Sequence, residues 1–192
     1  MSSETKVGAV GTTVKEGVVN SLKGIDDIEK EIVTLVKYAV SNTLKSAGSS
    51  AREGMTVTRD VVRGAIQACE EVGTGLMTST KYVAKGIILG VDEASGDVIG
   101  AANQTARSAV KGAAEVGADI GLVARRAAEG IIEATGEIEG NMTETARGAV
   151  TGAIEAAGSI SKTALKEVKE MLIGVVEGVK DVAGVAIPKS QS

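Results

Sequence analysis

The sequence predicts an all-α protein built of long amphipathic helices with a hendecad (22-residue) repeat, arranged as an elongated bundle or coiled-coil assembly. Three observations carry this. Rows of 22 residues starting at Lys15 align through Ser190 without an insertion or deletion. The only proline is Pro188, so no ring interrupts a helix before it. Turn-bounded alternating runs and Asn-Gly or Asp-Gly hairpin turns, the usual marks of strands, are absent.

The columns of this alignment define the helix surface. Column 1 is mostly basic: Lys15, Lys37, Arg59, Lys81, Arg125, Arg147 and Lys169, with Asn103 as the exception. Column 8 is aliphatic in every row, running Leu22, Leu44, Ile66, Ile88, Val110, Ile132, Ile154, Val176. Column 13 is mostly acidic, with Asp27, Glu71, Glu93, Glu115, Glu137 and Asp181. At about 3.67 residues per turn, columns 4, 7, 8, 11, 14, 18 and 22 share one broad face. Column 6 is small: Gly64, Gly86, Gly130, Gly152 and Gly174, with Asn20, Asn42 and Ser108. Column 10 is small as well, and four-residue spacing stacks the two columns into a ridge that admits close helix packing. Each interior Gly costs about 1 kcal/mol against Ala, so the array must bury its apolar face to hold.

Taken in order, residues 1–14 form an N-terminal arm, and residues 15–187 hold eight repeat units. A break is expected at 47–50, where the apolar face is diluted and Ser50 with Glu53 has capping-box spacing. Asn141 with Glu144 is a second start signal, and Ser95-Gly96 a third irregularity. These points permit four helices of two repeats each, in an antiparallel bundle. The register nevertheless survives all three, and loops have no evident reason to keep helical phase. Continuous helices crossing the repeat boundaries are therefore expected. Pro188 ends the array, leaving 188–192 as a tail.

Composition narrows function. Net charge is −4 and Lys and Arg are dispersed, with no Phe or Trp, which argues against a nucleic-acid partner. One cysteine, Cys69, points to a reducing compartment, and the N-terminus lacks a signal-peptide apolar stretch. The expected location is cytoplasmic, with peripheral contact to a membrane as a variant. There is no histidine, so the commonest general base and metal ligand is missing. Cys69 lies in the apolar face and reads as a small buried hydrophobe. Asp92, Glu93, Ser95 and Asp97 lack the ligand spacing of a calcium loop. Glu70/Glu71 and Glu137/Glu139 read as surface patterning, because acid recurs in column 13. Gly73-Thr74-Gly75 lacks the rest of a dinucleotide fingerprint, and no phosphate loop occurs. Catalysis, a cofactor, a metal and a small-molecule substrate are not expected.

The repeat core Thr13-Val14-Lys15-Glu16-Gly17-Val18 resembles the Lys-Thr-Lys-Glu-Gly-Val motif of synucleins, with Val176-Glu177-Gly178-Val179 as a partial echo. The period also resembles that of group 3 late-embryogenesis-abundant proteins and exchangeable apolipoproteins. The resemblance implies amphipathic helices that either coat a lipid surface or associate as hendecad coiled coils.

The leading expectation is a non-catalytic structural protein that self-associates into a bundle, barrel or filament. Its expected interface is the column 8 series from Leu22 to Val176, with Gly64, Gly86, Gly130, Gly152 and Gly174 setting the helix spacing. In that arrangement the basic first column pairs with acids of a neighbouring helix. A peripheral lipid-surface coat is the alternative, in which the same residues reach headgroups.

Overall fold

The computed structural model describes residues 8–23, 28–47, 50–72 and 75–183. They form eight helices: α1 (Ala9–Lys23), α2 (Ile28–Ala47), α3 (Ala51–Val72), α4 (Leu76–Glu93), α5 (Val98–Glu115), α6 (Ile120–Glu137), α7 (Met142–Ile160) and α8 (Lys162–Ala183). Among the described residues all regular structure is helical. The tail 188–192 and the first half of the N-terminal arm, residues 1–7, lie outside them. The rest of the arm, from Ala9, is already helix α1.

The expected continuity from one repeat into the next does not hold. Every row boundary lies inside a helix, and among the described residues the chain turns back within the row, at columns 14–17, because a loop repeats along with the helix. Helices α4, α5 and α6 are each 18 residues long. Each is followed by a four-residue connection, at 94–97, 116–119 and 138–141. Together they fill the same 22 positions as six unbroken turns. A loop of constant length keeps the register as faithfully as a helix does.

The three connections share one design. Ser95, Gly117 and Glu139 adopt φ of 55°, 69° and 52°, the left-handed conformation that closes a helix. The next amides, of Gly96, Ala118 and Gly140, donate to the carbonyls of Val91, Ala113 and Thr135 at 2.8, 2.8 and 3.0 Å. One residue later Asp97, Asp119 and Asn141 start the following helix. Their side-chain oxygens accept from the amides of Gly100, Leu122 and Glu144 at 2.9, 2.8 and 3.1 Å. Ser50 caps α3 in the same way, accepting from the Glu53 amide at 3.3 Å while its hydroxyl donates to the Glu53 carboxylate at 2.9 Å.

Short connections make consecutive helices antiparallel. The most extensive packing joins helices two apart in sequence: α1 with α3, α2 with α4, α4 with α6, α5 with α7. Odd helices thus form one layer of parallel neighbours and even helices a second, as in an α-solenoid. The core lies between the layers. Column 4 is buried in all eight rows, from Val18 through Val40, Val62, Ala84, Ala106, Ala128 and Val150 to Leu172. Column 14 falls at the helix ends and is not central to the core: Val116 and Ile138 are half-buried C-caps, and Ile160 is 40 % exposed.

The last helix breaks the pattern. Only Ser161 separates α7 from α8, and its hydroxyl oxygen accepts from the Ala164 amide at 3.0 Å. This connection is one residue long where those after α4, α5 and α6 are four. Helix α8 buries a narrow line, Ala164, Val168, Leu172 and Val176, and leaves Lys166, Glu170, Ile173, Gly174, Glu177 and Gly178 exposed.

Candidate functional site

The residues singled out by the repeat are spent largely inside the chain. Leu44, Ile66, Ile88, Val110 and Val176 are buried in the single core, and Ile132 and Ile154 pack half-buried against it. The side chain of Leu22 lies outside the described residues. The column 8 series is therefore a seam between helices of one molecule.

Column 6 sets how closely same-layer helices approach. A β-carbon at Gly64 would overlap the carbonyl oxygen of Gly11 in α1. At Gly130 it would overlap the Lys81 carbonyl of α4, and at Gly152 the Asn103 carbonyl of α5. At Gly86 it would come within 2.9 Å of the Val33 carbonyl in α2. These four contacts are backbone to backbone, so no rotamer change relieves them. Gly174 is different: it is exposed, with open space around it. In the first two rows the column holds Asn20 and Asn42, both exposed. Among the described residues no helix packs before α1 or α2 in its layer, and both side chains face solvent.

Charge closes the same seams from outside. Lys15 of α1 pairs with Glu71 of α3 at 3.1 Å. Lys37 and Lys45 of α2 meet Glu93 of α4 at 2.9 and 3.1 Å, and Ser41 donates to the same carboxylate at 3.0 Å. Lys81 and Lys85 of α4 meet Glu133 of α6 at 2.8 and 2.7 Å. Arg107 of α5 pairs with Glu155 of α7. Basic column 1 residues thus reach acids on the helix two places on. The Lys37 ammonium, with Lys45 and Ser41, pulls the Glu93 carboxyl from 4.5 down to about 2. Lys81 and Lys85 lower that of Glu133 likewise. The pairs are partly exposed and so contribute alignment more than stability.

The remaining polar candidates resolve as packing or surface. Tyr38 is 55 % exposed. Tyr82 is half-buried, and burial, then the nearby Glu29 carboxylate, pushes its hydroxyl up to about 12. Among the described residues no cluster of three or more Cys, Asp or Glu side chains is placed to hold a metal ion. Within them, too, no helix is long and apolar enough to cross a membrane.

A crevice among α3, α4, α5 and α6 is lined by Cys69, Ser79 and Thr105 together with aliphatic side chains such as Val62 and Val83. Burial pushes the Cys69 thiol up from its ordinary value, and a hydrogen bond with the Ser79 side chain acts the other way. Ser79 and Thr105 carry no pattern in the repeat that marks them.

No protein-family model matches the chain, and no curated protein is significantly similar to it. Among solved structures, a de novo designed helical repeat protein is similar over 91% of this chain and 95% of that chain, at 21% sequence identity and a TM-score of 0.49. The repeat architecture rests on the packing of this chain's own helices.

Proposed function

We propose that this chain is a non-catalytic structural scaffold, a short helical-repeat stack that associates with further copies of itself through its C-terminal end. The observation that carries this reading is the open face of α8. On inner helices the glycine face is covered by the helix two places before, and acids beside it receive that helix's basic residues. On α8 the corresponding residues, Gly174, Glu177 and Gly178, are all exposed. The outer side of α7, which no later odd helix among the described residues covers, presents Arg147 and Thr151, both exposed. A second copy brought end to end offers each of these faces the partner that the array supplies elsewhere. Closed pairing of two such ends gives a twofold dimer in which no open end remains at that side.

Sedimentation equilibrium tests this. The expected species at low ionic strength is larger than the 19.3 kDa monomer. Salt should shift it toward monomer, because the pairing has an ionic part. The double variant Gly174→Gln/Gly178→Gln should be monomeric with unchanged helicity. A wild-type chain that stays monomeric at every concentration contradicts the self-association. The lipid-coat alternative requires the column 4 and column 8 residues to leave the core. Helicity that appears only with anionic vesicles would favour it over the scaffold.

A further inference from the structure

Ion pairs across the same-layer seams recur at one spacing. Lys45 with Glu93, Lys85 with Glu133 and Arg107 with Glu155 are each 48 residues apart, on helices two places apart. The last two pairs join column 5 of one row to column 9 two rows on. That pair of positions exists in every same-layer seam. It holds Val19 and Gln67 between α1 and α3, and Ser41 and Leu89 between α2 and α4. Two seams carry like charges there instead: Arg63 and Lys111 between α3 and α5, and Glu129 and Glu177 between α6 and α8.

Packing divides along the same line. The seams with opposite or uncharged pairs, α1–α3, α2–α4, α4–α6 and α5–α7, are the extensive ones. The α3–α5 and α6–α8 seams are the least extensive of the same-layer contacts. Among the described residues no ion pair joins α3 to α5 or α6 to α8. Arg59 meets its own neighbour Asp60, and Arg125 and Arg126 turn to Glu129 on their own helix at 2.8 and 3.0 Å. Arg125 is the counterpart of Lys81, which crosses from α4 to Glu133 of α6 at 2.8 Å. Glu129 therefore acts twice on α8. It puts a like charge at the position that would pair with Glu177, and it holds the cation that would otherwise cross to that acid. Like charges brought together at a seam repel about as strongly as opposite ones attract. Glu177 is exposed, and no neighbouring helix comes within 4 Å of a β-carbon placed on Gly174 or Gly178.

We propose that the sign of this charge pair decides how tightly each seam closes, and that Glu129 is the residue that keeps α6 off the glycine face of α8. That face stays available to a second copy of the chain, and this last step rests on the self-association proposed above. Glu129 is then a specificity-determining residue. It stops the chain's own stack from covering the surface that a partner copy uses, as α4 covers Gly130. A like charge that excludes one partner and leaves another is a general route to specificity.

Charge-reversal cycles on the full chain, at dilutions where it is monomeric, test the seams. Glu177→Lys leaves Glu129 and its arginines in place and supplies an opposite charge. Gly174→Ala should raise the urea midpoint in the wild-type chain and lower it in Glu177→Lys, because the β-carbon then meets α6. The double reversal Glu129→Lys/Glu177→Lys restores like charges and should return Gly174→Ala to its wild-type sign. At the other seam, Lys111→Glu should slow amide hydrogen exchange in α3 and α5, and Arg63→Glu/Lys111→Glu should not. Circular dichroism confirms the fold of each variant. Glu129→Gln leaves the exposed face of α8 untouched and frees Arg125 for Glu177, so in sedimentation it should weaken self-association by about tenfold. An unchanged sign of Gly174→Ala in Glu177→Lys would trace the open face to the one-residue connection at Ser161, and overturns the proposal. So does exchange in Lys111→Glu no slower than in the double reversal. Undiminished association of Glu129→Gln overturns the assignment to Glu129. A wild-type chain that never associates contradicts the partner copy alone, while the monomer cycles still decide the seams.

Discussion

Gly130 of α6 lies against the carbonyl of Lys81 in α4, closely enough that a β-carbon on Gly130 has no room. The same lysine extends its ammonium to Glu133, one turn further along α6, at 2.8 Å. Backbone contact and ion pair thus fix one helix against its parallel neighbour from two sides. The relationship recurs at Gly152 of α7, which meets the Asn103 carbonyl of α5 while Arg107 pairs with Glu155.

Glycine substitutions should therefore split by position. Gly130→Ala and Gly152→Ala should destabilise by about 1–3 kcal/mol, since the gain in helix propensity is outweighed by forced separation of two backbones. Gly174→Ala, in open space within one chain, should stabilise the monomer by about 0.5–1 kcal/mol at dilutions where it does not associate. Urea unfolding midpoints of the three variants check this. Equal effects at all three would mean that the close approach is not a constraint.

Adjacent isoleucines should differ in the same manner. Ile131 is fully buried, whereas Ile132 is only partly buried. Ile131→Ala should cost about 2–5 kcal/mol and Ile132→Ala clearly less. A reversed order in chemical denaturation would place the core on the other side of α6.

Two loop positions carry a side chain where the backbone favours glycine. Ser95 and Glu139 have φ of 55° and 52°, while the equivalent residue in the intervening loop is Gly117. Glu139→Gly should raise stability by about 0.5–1 kcal/mol, with Ser95→Gly similar. The thermal midpoint should rise in each variant. A fall would show that these residues do not close their helices in the left-handed conformation.

Acid should loosen the even layer first at Glu93. Its folded-state value of about 2 lies below the ordinary 4.5, chiefly through Lys37 and then Lys45 and Ser41. A lowered carboxyl contributes stability that is fully present above about 4.5 and is lost as pH falls from there toward 2. Glu93→Gln should flatten the pH dependence of unfolding in that window and leave it unchanged near neutrality. An identical acid profile in the variant would mean that the α2–α4 clamp is not made in solution.

Much of this architecture was legible in the columns. The all-α class followed from the strict period and the position of Pro188, and both Ser50 and Asn141 do cap helices. The charge pattern also carried through, since Lys15, Lys37 and Lys81 pair with acids on other helices. The turns were not legible from the period, because a helix with a fixed four-residue loop and an unbroken helix share it. What distinguishes them is local. Asp97, Asp119 and Asn141 recur every 22 residues as cap-forming side chains, each two residues after Ser95, Gly117 or Glu139. In a continuous helix those acids and amides have no reason to recur there. The crevice was hidden for another reason. Its lining comes from four helices, which no single row of the repeat displays.

The central claim is that each repeat is one helix that folds back, so that equivalent residues two repeats apart become neighbours. The most direct test is a distance between spin labels at Glu115→Cys and Ser159→Cys, both exposed, in a Cys69→Ala background. Packed parallel helices lie about 8–10 Å apart, so a short, narrow distance distribution is predicted once label length is included. An unbroken helix would separate the same positions by roughly 65 Å, and that result would contradict the account.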